Sequence, residues 1–277
     1  MISVGDMMHA MKTTQLRQDE YLDLQTELIF CRSCGTPRQK RLVFDGQVYL
    51  PRTLCRCRQE QQEAREAARQ QQEREWKISR LRITGLPDPQ LQQCTFENDR
   101  GFNPEMEKIK RYVNHWEQMQ SRAMGLLLTG GVGTGKTYMA ACAANALIDW
   151  EVPVLMTNLA RVLNTLTGLY SGDRNQYIDS LNQYPLLILD DLGMERSSEF
   201  ALEQIYNVID SRYRSRRSLI VTTNLTLEQM HNPQDIAHSR IYSRVLERCI
   251  PILVNRENIR TRNAARNLAE ARKLLEE

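Results

Sequence analysis

The sequence predicts an α/β protein: a three-layer domain built on a parallel five-stranded sheet, preceded by a small cysteine-bearing and helical region. Three observations carry this. Short apolar runs alternate with helical patterns from about residue 83 onward. One of those runs leads into a glycine-rich loop ending in Lys-Thr. Two close cysteine pairs lie ahead of all of this, followed by a stretch made almost wholly of Gln, Glu, Arg and Ala.

The apolar runs are 125–129, 153–157, 186–190, 219–223 and 250–254, and the helical patterns between them include 136–149, 159–170 and 199–214. Strands that alternate with helices are joined by crossovers, so they lie parallel and are covered on both faces. Length agrees, since 277 residues suffice for one ordinary domain and a smaller one. A 41% hydrophobic and 26% charged composition is that of a globular protein. No apolar run approaches a bilayer span, and the first residues lack a basic segment followed by an apolar one. A cytoplasmic protein with no membrane partner is expected. The net charge of +3 decides nothing about nucleic acid.

Residues 1–30 read as helical, with Leu16, Leu22, Leu24 and Leu28 among polar residues. Residues 31–57 hold Cys31-x-x-Cys34 and Cys55-x-Cys57. Close pairs in a chain without a secretion signal point to metal rather than disulfides. Four thiolates match tetrahedral Zn²⁺ and leave no open position, so the expected role is structural. The alternative is four reduced cysteines. Between the pairs, the run around Asp45-Gly46 reads as a β-hairpin. Residues 31–58 carry seven basic residues (Arg32, Arg38, Lys40, Arg41, Arg52, Arg56 and Arg58) against Asp45 alone, which suits DNA, an acidic partner or simply solvent. Residues 58–82 read as a helical linker. The prolines that follow Gly85 break it, placing a boundary between an N-terminal region, 1–82, and a second domain, 83–277.

In that domain Gly130-Gly131-Val132-Gly133-Thr134-Gly135-Lys136-Thr137 matches the P-loop pattern, after a strand and before a helix. Glycines let backbone amides wrap a phosphate, and the helix N-terminus adds its own. Lys136 is expected to reach the β- and γ-phosphates of ATP, and the Thr137 hydroxyl to ligate Mg²⁺. Four apolar residues then end in Asp190 and Asp191. Acids at the end of a parallel strand face the ligand crevice. Asp190 would hold Mg²⁺ and Asp191 would orient the attacking water; a helix N-cap is the plainer alternative. Asn224, at the end of the 219–223 run, is placed to sense the γ-phosphate or the water.

Together these segments resemble the AAA+ superfamily, and more closely its DnaC/DnaI/IstB-like group. The resemblance covers about 85–262 and is carried by 189–195, by 221–225 and by the Arg240-x-x-x-Arg244 segment. It implies a AAA+ ATPase domain with Asn224 as sensor 1. It also implies an arginine finger from Arg240 or Arg244, Arg244 being favoured, acting on a neighbour's ATP in a homo-oligomer. Asp191 stands where many AAA+ proteins have Glu, which implies slow hydrolysis. Only 255–277 follow the last strand, so no full lid domain is expected, and Arg260 is the one sensor 2 candidate. A zinc-containing N-terminal domain joined to such an ATPase resembles the DnaI-type loaders. The implied function is ATP-dependent loading of a hexameric replicative helicase onto single-stranded DNA, with the N-terminal region on the helicase. The cluster Arg212, Arg214, Arg216 and Arg217 is the candidate DNA contact; a solvated helix end is the other reading of it. The rival functions are an IstB-like transposition accessory ATPase and a non-hydrolysing, ATP-gated DNA-binding adaptor.

Overall fold

The computed structural model describes residues 16–193, 198–233 and 235–255, with 258, 259, 261, 264, 268, 271–273 and 275. The chain divides into two compact units, one ending at Glu75 and the other beginning at Trp76.

In the first unit β1 (Glu20–Asp23) pairs antiparallel with β2 (Leu28–Cys31), Glu20 standing opposite Cys31. This corrects the helical reading of residues 1–30 over its described part; residues 1–15 lie outside the described residues. Leucines at 22, 24 and 28 are compatible with either structure. Cross-strand pairing of Tyr21 with Phe30 and Leu22 with Ile29 decides for strands. The turn is fixed by the Asp23 carboxylate, which accepts from the Thr26 amide (3.0 Å) and hydroxyl (2.6 Å), and by Glu27 at φ 59°. The second hairpin is as expected: β3 (Leu42–Phe44) and β4 (Gln47–Tyr49) meet at Asp45 and Gly46, both at positive φ. Helix α1 (Arg56–Gly85) follows.

In the second unit α2 (Pro89–Gln92), α3 (Met106–Asn114) and α4 (Trp116–Ser121) precede the sheet. Its elements run β5 (Gly125–Thr129), α5 (Lys136–Asp149), β6 (Val154–Asn158), α6 (Leu159–Gly168), α7 (Ser171–Leu181), β7 (Leu186–Leu192), α8 (Glu199–Arg214), β8 (Ser218–Thr223), α9 (Leu227–His231), α10 (Ile236–Arg248) and β9 (Cys249–Leu253). The strands lie in the order β6-β7-β8-β5-β9, and every pairing is parallel. Alternation along each strand splits the core into two faces. Leu126, Leu128, Leu186, Ile188 and Ile220 pack under α3 and α5 with Ile109, Leu147 and Ile148. Leu127, Leu187, Leu189, Leu219 and Val221 pack under α6, α8 and α10 with Leu159, Ile205, Ile209 and Val245. This is the predicted three-layer α/β domain. Because β8 lies between β5 and β7, the polar ends of β7 and β8 flank the loop that leaves β5.

Candidate nucleotide site and cysteine cluster

The loop after β5 needs its glycines for steric reasons. Gly130 sits at φ 148°, and a Cβ there would lie 2.2 Å from the Val254 carbonyl oxygen; Gly133 sits at φ 77°, where a Cβ would meet the Asn258 side chain at 2.0 Å. Gly135 is left-handed and starts α5. Thr134 Oγ1 donates to the Gly131 carbonyl at 3.0 Å, and Val132 is exposed at the loop tip. Lys136 is buried, and its ammonium donates to the carbonyls of Gly130 (2.9 Å) and Gly131 (2.7 Å) and to Asn224 Oδ1 (2.8 Å). The sensor position and the P-loop lysine are therefore in direct contact.

Thr137 and Asp190 also meet. The Thr137 hydroxyl lies 3.0 and 3.1 Å from the two Asp190 oxygens. Burial raises the Asp190 carboxyl above the usual carboxylate range, while hydrogen bonds from Thr222 and Thr137 pull it back. A half-buried carboxylate beside a hydroxyl is a hard oxygen donor set of the kind Mg²⁺ takes. Thr222 is fully buried and serves both acids: its hydroxyl donates to Asp190 Oδ1 (2.6 Å) and accepts from the Asp191 amide (3.0 Å). The register between β7 and β8 shifts between Leu189 and Leu192, and Asp191 lies there at φ 60°. This bulge breaks the strand alternation and turns Asp191 to the surface of the cavity. The sequence shows Thr222 but nothing that marks its double role.

A cavity of about 480 Å³ opens beside the loop. Residues 132–137, Asp191 and Asn224 line its polar end; Asn98, Arg100, Phe102, Asn103, Met106 and Ile259 line the rest. That second wall was not anticipated, because residues 98–106 carry no motif. Ile259 reaches it because its amide bonds to the Gly133 carbonyl at 2.9 Å, folding the chain after β9 across the loop. Arg260, Met194 and Glu195 lie outside the described residues.

The two arginines of α10 differ. Arg244, favoured from the sequence, is committed within its own chain. Its Nε pairs with Asp210 at 2.8 Å, its other nitrogens reach the Arg240 carbonyl (2.9 Å) and the Tyr206 hydroxyl (3.1 Å), and the guanidinium lies over the Tyr206 ring. Arg240 is exposed one turn away. Arg212 is a correction to the proposed DNA cluster. It is buried, and its guanidinium donates to the carbonyls of Ser218, Tyr184, Pro185 and Leu181 at 2.6–3.3 Å. It ties α8 to the starts of β7 and β8 and cannot touch a phosphate. Arg214 pairs with Asp210, and Arg216 and Arg217 are exposed.

In the first unit the four cysteines come together, their sulfurs all within 4.8 Å of one another. Cys57 Sγ lies 3.6 Å from Cys31 Sγ and 3.4 Å from Cys55 Sγ. Zn–S bonds of about 2.3 Å at tetrahedral angles require sulfurs about 3.8 Å apart. The Thr36 hydroxyl lowers Cys34 to about 5, and crowding by Cys55, Cys31 and Cys34 pushes Cys57 up to about 12. One more negative sulfur beside the others is unfavourable until a cation joins them, so the donor set fits zinc. The basic surplus of this module is largely internal. Buried Arg38 pairs with Asp19 (2.6 Å) and Glu20 (2.9 Å), Arg52 with Glu20 (3.1 Å) and Arg58 with Asp19 (3.0 Å). Counting charges over 31–58 alone missed Asp19 and Glu20, which lie before it.

A family profile described as IstB-like ATP binding protein matches residues 59–267. The chain belongs to that family. It is similar to the replicative helicase loader DnaC of Escherichia coli strain K12, 27% identical over 184 residues that cover 64% of this chain and 74% of that protein. The phage-like element PBSX protein XkdC of Bacillus subtilis is 29% identical over 155 residues, 53% of this chain and 56% of that protein. Among solved structures, DnaI superposes with a TM-score of 0.53 at 22% identity, covering 61% of this chain and 95% of that one. The DnaC helicase loader gives 0.51 at 22%, covering 60% and 99%. These two support the AAA+ fold that the strand order displays. Among the described residues no helix is long and apolar enough to cross a membrane.

Proposed function

We propose that this chain is an ATPase that loads a hexameric replicative helicase onto single-stranded DNA. One observation supports the enzymatic half above the others: Lys136–Asn224 and Thr137–Asp190 are in contact, so the P-loop and two different strand ends converge on one point. ATP with Mg²⁺ supplies the phosphoanhydride and the cation that screens its charge. Lys136 exchanges its protein acceptors for phosphate oxygens. The amides of residues 130–137 turn toward the same anion. Thr137 and Asp190 hold the magnesium ion, Asp191 orients the water, and Asn224 holds its position against the γ-phosphate. An exposed arginine of a neighbouring copy completes the site in trans, which makes the active form a homo-oligomer. Arg240 is that arginine, because Arg244 already serves Asp210 and Tyr206. The short Asp191 side chain makes turnover slow.

The loader assignment rests on the similarity to DnaC and on the four-cysteine module ahead of the ATPase domain. Residues 1–82 would grip the helicase, and zinc at Cys31, Cys34, Cys55 and Cys57 would hold their fold. Arg216 and Arg217 remain as exposed charges for single-stranded DNA, whose binding would weaken as salt rises. Two measurements test the proposal. Phosphate release should rise with single-stranded DNA; binding of ATP without any release makes the chain a non-hydrolysing adaptor. Immobilised full-length protein should capture the host's replicative helicase. Capture of a transposase in its place gives the IstB-like transposition reading.

A further inference from the structure

Two neighbouring threonines at the end of β8 hold β7 on either side of its bulge. Thr222 and Thr223 are both fully buried. Thr222 holds the Asp190 carboxylate and the Asp191 amide, within the stretch where the register shifts. Thr223 holds the chain after it. Its hydroxyl donates to the Leu192 carbonyl at 2.6 Å, and Leu192 is the residue paired with Thr223 where the register resumes. The same oxygen accepts from the Leu225 amide at 3.0 Å. A hydroxyl has one hydrogen, so these two bonds use it as donor and acceptor at once. The bond to Leu225, two residues on, closes a turn around Asn224. The bond to Leu192 anchors the residue that follows Asp191, whose own backbone at φ 60° is held by its surroundings. The two segments also touch one another: at Gly193, φ 91°, a Cβ would meet Leu225 Cδ1 at 2.8 Å.

We infer that Thr223 is a positioning residue for ATP hydrolysis, a single hydroxyl that fixes Asp191 and Asn224 relative to each other. The inference rests on the proposed ATPase reading and adds to it what keeps two side chains of different strands in one arrangement. The hydroxyl is spent on two backbone groups, so it acts through its neighbours. Placing a water against a γ-phosphate is sensitive to small displacements of the groups that orient it. Holding the phosphates through Lys136 and the loop amides is not, so this hydroxyl matters to turnover and not to affinity.

The test uses full-length protein with single-stranded DNA, phosphate release at saturating ATP, and fluorescence-detected ATP binding. Thr223→Val keeps the shape of the side chain and removes the hydroxyl. It should lower kcat about tenfold, the size of one lost buried hydrogen bond, and leave the Kd for ATP within about twofold. Thr223→Ser, which keeps the oxygen, should retain the wild-type kcat. Thr223→Val combined with Asn224→Ala should lose less than the product of the two single losses, because both disturb the same arrangement. Equal turnover by Thr223→Val and wild type overturns the inference. So does a loss of ATP affinity as large as the loss of kcat, a Thr223→Ser variant as slow as Thr223→Val, or single losses that simply multiply. If Thr223→Val does not fold, Thr223→Ala is read in the same way; failure of both to fold gives the hydroxyl a purely structural role and overturns the inference too. Wild-type protein that binds ATP and releases no phosphate sinks the ATPase reading and this inference with it, an outcome distinct from every variant comparison.

Discussion

The two units of this chain are held together by different physics. In the second unit the sheet is buried on both faces, and leucines of β5 and β7 such as Leu127, Leu128, Leu186, Leu187 and Leu189 are fully inaccessible. In the first unit the buried hydrophobic residues among those described are Ile29, Cys31 and Cys55, while Val43, Phe44 and Val48 of the second hairpin stand in water. A segment that short cannot offset its chain entropy by burial. Its order comes from four sulfurs around a point and from Arg38 between Asp19 and Glu20. The second unit can therefore lose a contact and keep its fold. The cysteine module is close to all-or-none.

Removing the metal should give the largest contrast. Purified protein should contain about one zinc per chain, as expected of a closed four-thiolate site. A strong chelator, or Cys31→Ser with Cys34→Ser, should leave residues 16–55 open to limited proteolysis while the second unit stays resistant. A first unit that survives metal removal breaks the comparison. Within the second unit, Lys136→Ala should abolish tight ATP binding while the sheet core stays folded, because it removes loop hydrogen bonds and the proposed phosphate contact but no core packing. Wild-type turnover by this variant would rule out the P-loop assignment. The two arginines should separate next. Arg240→Ala should lower turnover with ATP affinity kept, and mixing it with Lys136→Ala should restore activity at mixed interfaces. Arg244→Ala should instead lower the melting temperature, by the equivalent of roughly 1–3 kcal/mol for a half-buried charged hydrogen-bond network. If Arg244→Ala is the variant rescued by mixing, the assignment reverts to Arg244. The smallest effect expected is at Thr222. Thr222→Val should lower turnover about tenfold and weaken the magnesium dependence of nucleotide binding, whereas Thr222→Ser should restore both.

The same contrast explains how much could be read in advance. The β5–P-loop–α5 order, the paired acids, the Asp45-Gly46 turn and the cysteine pairs are each legible because a local rule demands those residues at that spacing. The β1–β2 hairpin was not, since leucines at 22, 24 and 28 fit a helix until Ile29 and Phe30 find partners across a turn. The burial of Arg212 and the pairing of Arg244 with Asp210 were not foreseen, for a related reason. A basic residue in a helix looks solvated until the carbonyls at the starts of β7 and β8, or the carboxylate of Asp210, are brought against it. The left-handed Asp191 and the wall at Asn98–Asn103 depend on chain segments distant in sequence, and no periodicity reports such contacts.

The hydrogen bonds of Lys136 have one more consequence. Among the described residues its ammonium already has three oxygen acceptors, two from its own loop and one from β8's end. A phosphate that takes this ammonium does not fill a need; it outcompetes existing partners. Binding is then an exchange in which the enthalpy gained at the new oxygens is offset by that lost at the old ones. A phosphate that takes the place of Asn224 on this ammonium would free the side chain proposed to sense the γ-phosphate.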